Sequence, residues 1–229
     1  MTEPRSTTVW HRVGPVCGVL AAVTYVAGKL AFPLRGLAVR PEDSAERISA
    51  AMAERLQQGT EAGHFWRVTL VLLSVFFLLW FLGDVHRRLQ ARSDERSGWV
   101  ATVFLAGGLA LAAGLLIQGF VGLVQITIVD FGADVLVARM LLTLSWVGFA
   151  VVIPGAAAMT SAAAVLSLRF GALPAAVGVL GAIACAATFA VYWVPVWLLW
   201  VLVAAIVLLV GSEQMPEPAS PATTQRKTR

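Results

Sequence analysis

The sequence predicts an all-α fold: a polytopic bundle of six transmembrane helices with a short amphipathic outer helix. Three observations carry this. Of 229 residues, 59% are hydrophobic and only 13% charged, whereas a soluble domain carries about a quarter charged residues. The apolar residues gather in runs of membrane length separated by polar connections. The short connections alternate in charge, as loops on opposite sides of a bilayer do. With a mean hydropathy of +0.80, this chain needs hydrocarbon as its solvent.

The elements follow in order. Residues 1–12 are polar, carry Arg5 and Arg12, and read as a cytoplasmic N-terminal segment. The first span runs from Val13 to Phe32, with Pro15 in its first turn, where a missing N–H costs little. Its length, and the lack of a small-residue cleavage site, favour a retained helix over a signal peptide. Residues 33–64 form the longest polar stretch. Pro41-Glu42-Asp43-Ser44 marks a helix start. Ala45, Ile48, Met52 and Leu56 then recur at helical spacing up to Gly59, which predicts an amphipathic helix on the outer surface or over the bundle mouth. The second span covers Phe65 to Leu82 and is followed by a loop with Arg87, Arg88, Arg92 and Arg96. The third runs from Trp99 to Val124, then a short acidic connection with Asp130 and Asp134. The fourth, Ala138 to Leu168, is long enough to tilt, or to kink at Pro154-Gly155. Arg169-Phe170-Gly171 is a tight turn. Pro174 opens the fifth span, which reaches Tyr192, and Pro195 opens the sixth, which stops at Gly211. The membrane domain is thus 13–211, and 212–229 reads as a disordered cytoplasmic tail.

The Arg-rich loop between spans two and three faces an uncharged or acidic loop on each alternate side, which places both termini in the cytoplasm. The first outer loop, with Arg35, Arg40, Arg47 and Arg55, runs against that pattern. Trp10 and Trp99 fall at the inner interface, and Trp66 and Trp193 at the outer one. Helices in lipid pack through small residues. Gly14/Gly18/Ala22, Gly108/Ala112, Ala110/Gly114, Ala156/Thr160/Ala164 and Gly178/Ala182/Ala186/Ala190 predict that spans one, three, four and five form the centre. Spans two and six, built of bulky side chains, are expected to face lipid.

Ionisable groups inside spans are costly and mark function, and here they are scarce. Lys29, one turn from the outer end of span one, either snorkels to the interface or receives an anionic lipid or substrate. Gln118 and Gln125 of span three either bridge helices or line a pore. Asp130 and Asp134 share a face if their helix continues. They read as a solvated loop, a cation-binding pair, or partners for Arg139. Asp84-Val85-His86 has no third metal ligand in view. Cys17 and Cys185 lie in apolar runs and read as packing residues. The sequence shows no haem-ligand pattern, no protease pair and no phosphate-binding loop. No catalytic residue, metal or cofactor is therefore expected, and the basic pI reads as membrane orientation, not nucleic-acid binding.

The acidic helix Glu42-Asp43-x-x-x-Arg47-Ile48, the run Phe65-Trp66-Arg67, and Leu173-Pro174 followed by Gly178-x-x-Gly181 resemble an uncharacterised family of six-span bacterial, actinobacterial, membrane proteins. The resemblance covers about residues 13–211. It departs at Ala175, where such proteins often carry a basic residue. It implies a fold and a bacterial cell membrane, which the Arg-, Ala-, Val- and Gly-rich composition also favours, but no activity. The functional expectation is a non-enzymatic accessory, scaffold or sensor subunit in the lipid bilayer, as a homo-oligomer or with a membrane-protein partner. The alternatives are a small permease or channel for an apolar or weakly polar solute, and a membrane-embedded enzyme acting on lipid.

Overall fold

A computed structural model describes residues 7–30, 42–57, 61–92, 97–129, 135–190 and 195–211. Among them the protein is all-helical, with seven helices: α1 (Thr7–Leu30), α2 (Ala45–Gln57), α3 (Glu61–Arg92), α4 (Gly98–Val129), α5 (Val135–Leu168), α6 (Ala175–Ala190) and α7 (Val196–Gly211). Four of them, α1, α3, α4 and α5, are long and apolar enough to cross a membrane. Helices α6 and α7 are equally apolar but have 16 residues each. Large apolar side chains such as Phe76, Trp80, Phe120, Met140 and Phe189 cover the outer surface. Such a surface suggests a multi-pass membrane protein, because lipid is the medium that accepts it.

Helix adjacency closes a ring: α1 packs on α3, α3 on α4, α4 on α5, α5 on α6, α6 on α7, and α7 back on α1. Neighbours along the ring are antiparallel. Gly14 of α1 meets Asp84 near the end of α3, while Gly28 meets Leu70 near its start. The ring therefore has two ends. One carries α2, the start of α3 and the start of α5. The other carries the arginines that end α3.

The closest approach is between α4 and α5. A Cβ on Gly107 would lie 2.5 Å from the Met159 nitrogen, and one on Gly155 2.5 Å from the Leu111 nitrogen. Gly114 and Gly148 form the same kind of contact two turns away. Seven-residue spacing on both helices keeps one seam in register, and glycine lets the backbones touch. Pro154-Gly155 therefore does not break this span. Helix α5 runs unbroken from Val135 to Leu168, and Gly155 serves the seam.

Small residues on α1 (Gly14, Gly18, Ala22) and α5 (Ala156, Thr160, Ala164) are buried as expected. On α6 the expected stripe is wrong beyond Gly178: Ala182, Ala186 and Ala190 are exposed, and the buried line is Val177, Gly178, Gly181, Ala184 and Thr188. The partner decides this, because Gly181 sits against the Thr160 carbonyl and Gly178 against Ser167 of α5. The expectation that α3 and α7 are peripheral is also overturned. Helix α3 is 44% buried over its span against 39% for α1, and Trp200 of α7 is fully buried. Bulky side chains such as Phe81 and Trp200 here fill the ring, while Phe76 and Trp80 of α3 face outward.

The turn from α5 to α6 shows how the chain reverses. Gly171 has φ +64°. Its N–H donates to the Ser167 carbonyl and that of Ala172 to the Leu166 carbonyl, the pairing that ends a helix at a left-handed residue. The Ser167 hydroxyl donates to the Pro174 carbonyl (2.7 Å), and Arg92 of α3 reaches across to the Ala172 carbonyl (3.1 Å).

Candidate functional site

The two ends of the ring differ in chemistry. Among the largest fully buried side chains, Leu78, Phe81, Leu82, Val85 and Leu89 lie in the second half of α3. Phe104 and Leu111 lie in the first half of α4, and Met159 and Leu166 in the second half of α5. All of these belong to the arginine end. Trp200 joins them: its ring centroid is 6.1 Å from that of Phe104, and its indole N–H donates to the Val177 carbonyl at 3.1 Å. That half of the interior is filled with apolar side chains.

Charge at the arginine end is paired. The Asp84 side chain, 8% exposed, accepts from Arg87 (2.7 Å) and Arg88 (2.8 Å). It is pressed against α1 where Gly14 leaves room. The His86 Nδ1 instead meets the Ala101 carbonyl of α4 at 3.1 Å. Asp84 and His86 thus face different partners, and no group of three metal-ligating side chains occurs among the described residues.

The α2 end holds the unbalanced polar groups. Three buried nitrogen donors, Arg67 Nη1, Gln118 Nε2 and Arg139 Nε, find no hydrogen-bond partner among the described residues. Such atoms are rare in a native interior and require an explanation. Each has a definite place. Arg67 sits in the first turns of α3 and is an electrostatic neighbour of Tyr25 on α1. It shares the inward line of α3 with Val71, Ser74 and Leu78, all buried. The next residue, Val68, meets Gly122 of α4. Gln118 lies one turn deeper than Gly122 on α4, its Cγ 3.0 Å from where a Cβ on Gly148 of α5 would stand. Tyr25, Arg67 and Gln118 therefore occupy adjacent layers on three consecutive helices of the ring.

Two features bound this region. Tyr25 packs edge-on against Trp197 of α7, centroids 5.6 Å apart, and Lys29 lies over the Tyr25 ring at 5.6 Å. Above them, α2 docks on α5 through Ile48, which is fully buried against Ala138 and Leu142. Its start is organised by the Ser44 hydroxyl, which accepts the Arg47 N–H (3.3 Å), an N-cap of the ordinary kind. Arg139 Nη2 donates to the Asp43 carbonyl just before that cap (2.9 Å).

Of the residues singled out from sequence, Lys29, Gln118 and Arg139 all fall at this end. Gln118 does not make the helix-bridging hydrogen bond expected of it: its Nε2 is buried with no partner among the described residues. Arg139 engages the Asp43 carbonyl. Asp130 and Asp134 lie outside the described residues, as does the side chain of Gln125. Cys17 is buried and Cys185 half-buried, neither in a disulfide. Sequence reasoning missed Arg67 and Tyr25. The available signal was positional: Arg67 is a guanidinium on the same helical line as Val71, Ser74 and Leu78. The chain matches no protein-family model, no curated protein and no solved structure.

Proposed function

We propose that the chain is a six-span protein of a bacterial cell membrane, with both termini cytoplasmic, acting as a non-enzymatic accessory or sensor subunit, alone as an oligomer or beside a membrane partner. One observation carries the non-transport part of this reading. Half of the ring interior is occupied by apolar side chains, among them Phe81, Phe104, Met159 and Trp200, all fully buried. A solute path through that layer requires displacing close-packed aromatic side chains, which cores resist. The unbroken course of α5 through Pro154 also removes the interrupted helix from which a permease was expected. The unpartnered buried groups of the α2 end are N–H donors beside the Tyr25 phenol, so binding is the chemistry they support.

The deciding measurement is solute flux into proteoliposomes containing the full chain. The expected result is uptake equal to that of empty vesicles across a broad panel of apolar and weakly polar solutes. Saturable uptake that rises in Trp200→Ala overturns the reading and makes the protein a permease.

A further inference from the structure

Every unpartnered buried polar atom named above is an N–H donor, and every one lies at the α2 end. Donors are completed by acceptors. The described cations of this end are Lys29, Arg47, Arg67 and Arg139. The carboxylates described there belong to α2 and its approach: Glu42, Glu46 and Glu54 are exposed, and Asp43 pairs with Arg47 at 3.5 Å. The titratable group set beside Arg67 is the Tyr25 phenol, which is neutral at physiological pH. The Arg67 guanidinium, beside Tyr25, therefore holds a buried nitrogen with no partner among the described residues. A water molecule satisfies the hydrogen bond but leaves the charge; an anionic oxygen satisfies both, and the planar fork of Arg suits a phosphate or carboxylate.

The fold also shows how such a group can arrive from the bilayer. Gly181 of α6 packs at the Thr160–Ala164 level of α5. The helix ends nine residues later at Ala190, which brings it about level with Ile153 at ~1.5 Å per residue. Beyond that point α5 continues for about half of its 34 residues with no described residue of α6 beside it. The exposure pattern agrees. Ala157, Thr160, Ala164 and Ser167 on the α6-facing line are buried, whereas Thr143, Trp146 and Ala150 above Pro154 are exposed. Among the described residues, six helices close the ring at the arginine end, and at the α2 end no part of α6 stands between α5 and α7. That side of α5 is left, among the described residues, to the apolar chains of the bilayer.

We infer that the α2 end of the bundle binds an anionic oxygen headgroup, a phosphate or carboxylate carried on a membrane amphiphile, with Arg67 and Gln118 as its donors, Lys29 at the rim and α2 as its cover. This site is independent of the non-transport reading: a permease and a sensor would both use it.

The test is native mass spectrometry of the full chain in mild detergent, titrated separately with dioleoyl phosphatidylglycerol, dioleoyl phosphatidylcholine and inorganic phosphate. The inference expects retained phosphatidylglycerol adducts, at least about tenfold weaker in Arg67→Gln and Gln118→Leu, the loss typical of a charge-assisted hydrogen bond. Arg67→Lys is expected to fall between, since it keeps the charge without the fork. Gln90→Ala at the exposed arginine end of α3 is expected to bind as the parent does. Saturable binding of inorganic phosphate, lost in the same variants, supports the headgroup site and assigns a soluble anion as its source. Equal retention of phosphatidylcholine, adducts unchanged in both variants, or no adduct with any probe overturns the inference. Elution as a single species with an unchanged melting temperature shows that each variant has folded. Should Arg67→Gln fail that control, Gln118→Leu decides alone, because its residue is uncharged and only partly buried.

Discussion

Gly107 and Gly155 face each other across the α4–α5 seam, and each would drive a Cβ into the other's carbonyl at 2.9 Å. The atoms in the way are backbone, so no rotamer change relieves the contact and the helices must separate. Gly155→Ala is therefore expected to destabilise the bundle by about 1–3 kcal/mol, the usual cost of overpacking. Gly83, on the exposed face of α3, has nothing within 4 Å of its Cβ position. Gly83→Ala should be neutral or stabilise by up to ~1 kcal/mol through helix propensity alone. Thermal unfolding of the two variants in one detergent separates packing from propensity. Equal melting temperatures would mean that the seam is not close-packed. The same scale shows why part of the α2 end was legible and part was not. Lys29 and Gln118 stand out because they interrupt apolar runs. Arg67 sits beside Phe65-Trp66 at a span boundary, where a basic residue ordinarily reaches the interface. Only the contacts of its neighbours with α1 and α4 show that it turns inward.

Among the described side chains, helix α2 joins the bundle through very little. Its fully buried side chain is Ile48, packed on Ala138 and Leu142, and its start receives one hydrogen bond from Arg139. Removing the apolar body of Ile48 takes away most of that contact, worth about 2–5 kcal/mol for an Ile truncated in a core. Because α2 touches α5 and little else, the loss should be local. In Ile48→Ser, amide exchange in α2 is expected to rise by at least an order of magnitude while α4 and α5 stay protected, as for a unit that opens by itself. Unchanged exchange would show that other contacts hold the helix. The position of α2 was readable because Ser44 and the spacing of Ala45 and Ile48 are local signals. The packing face of α6 was not. In a helix rich in Gly and Ala several small-residue lines coexist, and the choice of Gly181 and Ala184 over Ala182 and Ala186 was made by Thr160 and Ser167 on α5, which no local pattern encodes. For the same reason a bulky residue such as Trp200 read as lipid-facing until its partner Phe104 was in place.

At the scale of the molecule, the ring imposes a constraint that hydropathy alone does not. Helix α7 packs antiparallel to α1: Ala205 lies beside Gly18, and Trp197 beside Tyr25. Its end is therefore at the same end of the ring as the start of α1. With 16 residues each, α6 and α7 measure about 24 Å, short of the ~30 Å hydrocarbon core. Taken singly, neither helix establishes a crossing. Taken in the ring, each runs alongside a helix long enough to cross, α6 beside the second half of α5 and α7 beside α1, and the bilayer accommodates a shortfall of a few ångströms at modest cost. The six crossings proposed above would put both ends of the chain on one side, and the Arg-rich end of α3 is what supports proposing that this side is the cytoplasm. This is testable with single cysteines in a Cys17→Ala, Cys185→Ala background, labelled in intact cells by a membrane-impermeant maleimide. Glu46→Cys on α2 is expected to react from outside. Gln90→Cys at the exposed end of α3 and Thr223→Cys in the tail are expected to react only after permeabilisation. Labelling of Thr223→Cys from outside, with Gln90→Cys still protected, would reduce the crossings to an odd number. That would mean that α6 and α7 do not both cross, and that the ring stands partly outside the hydrocarbon.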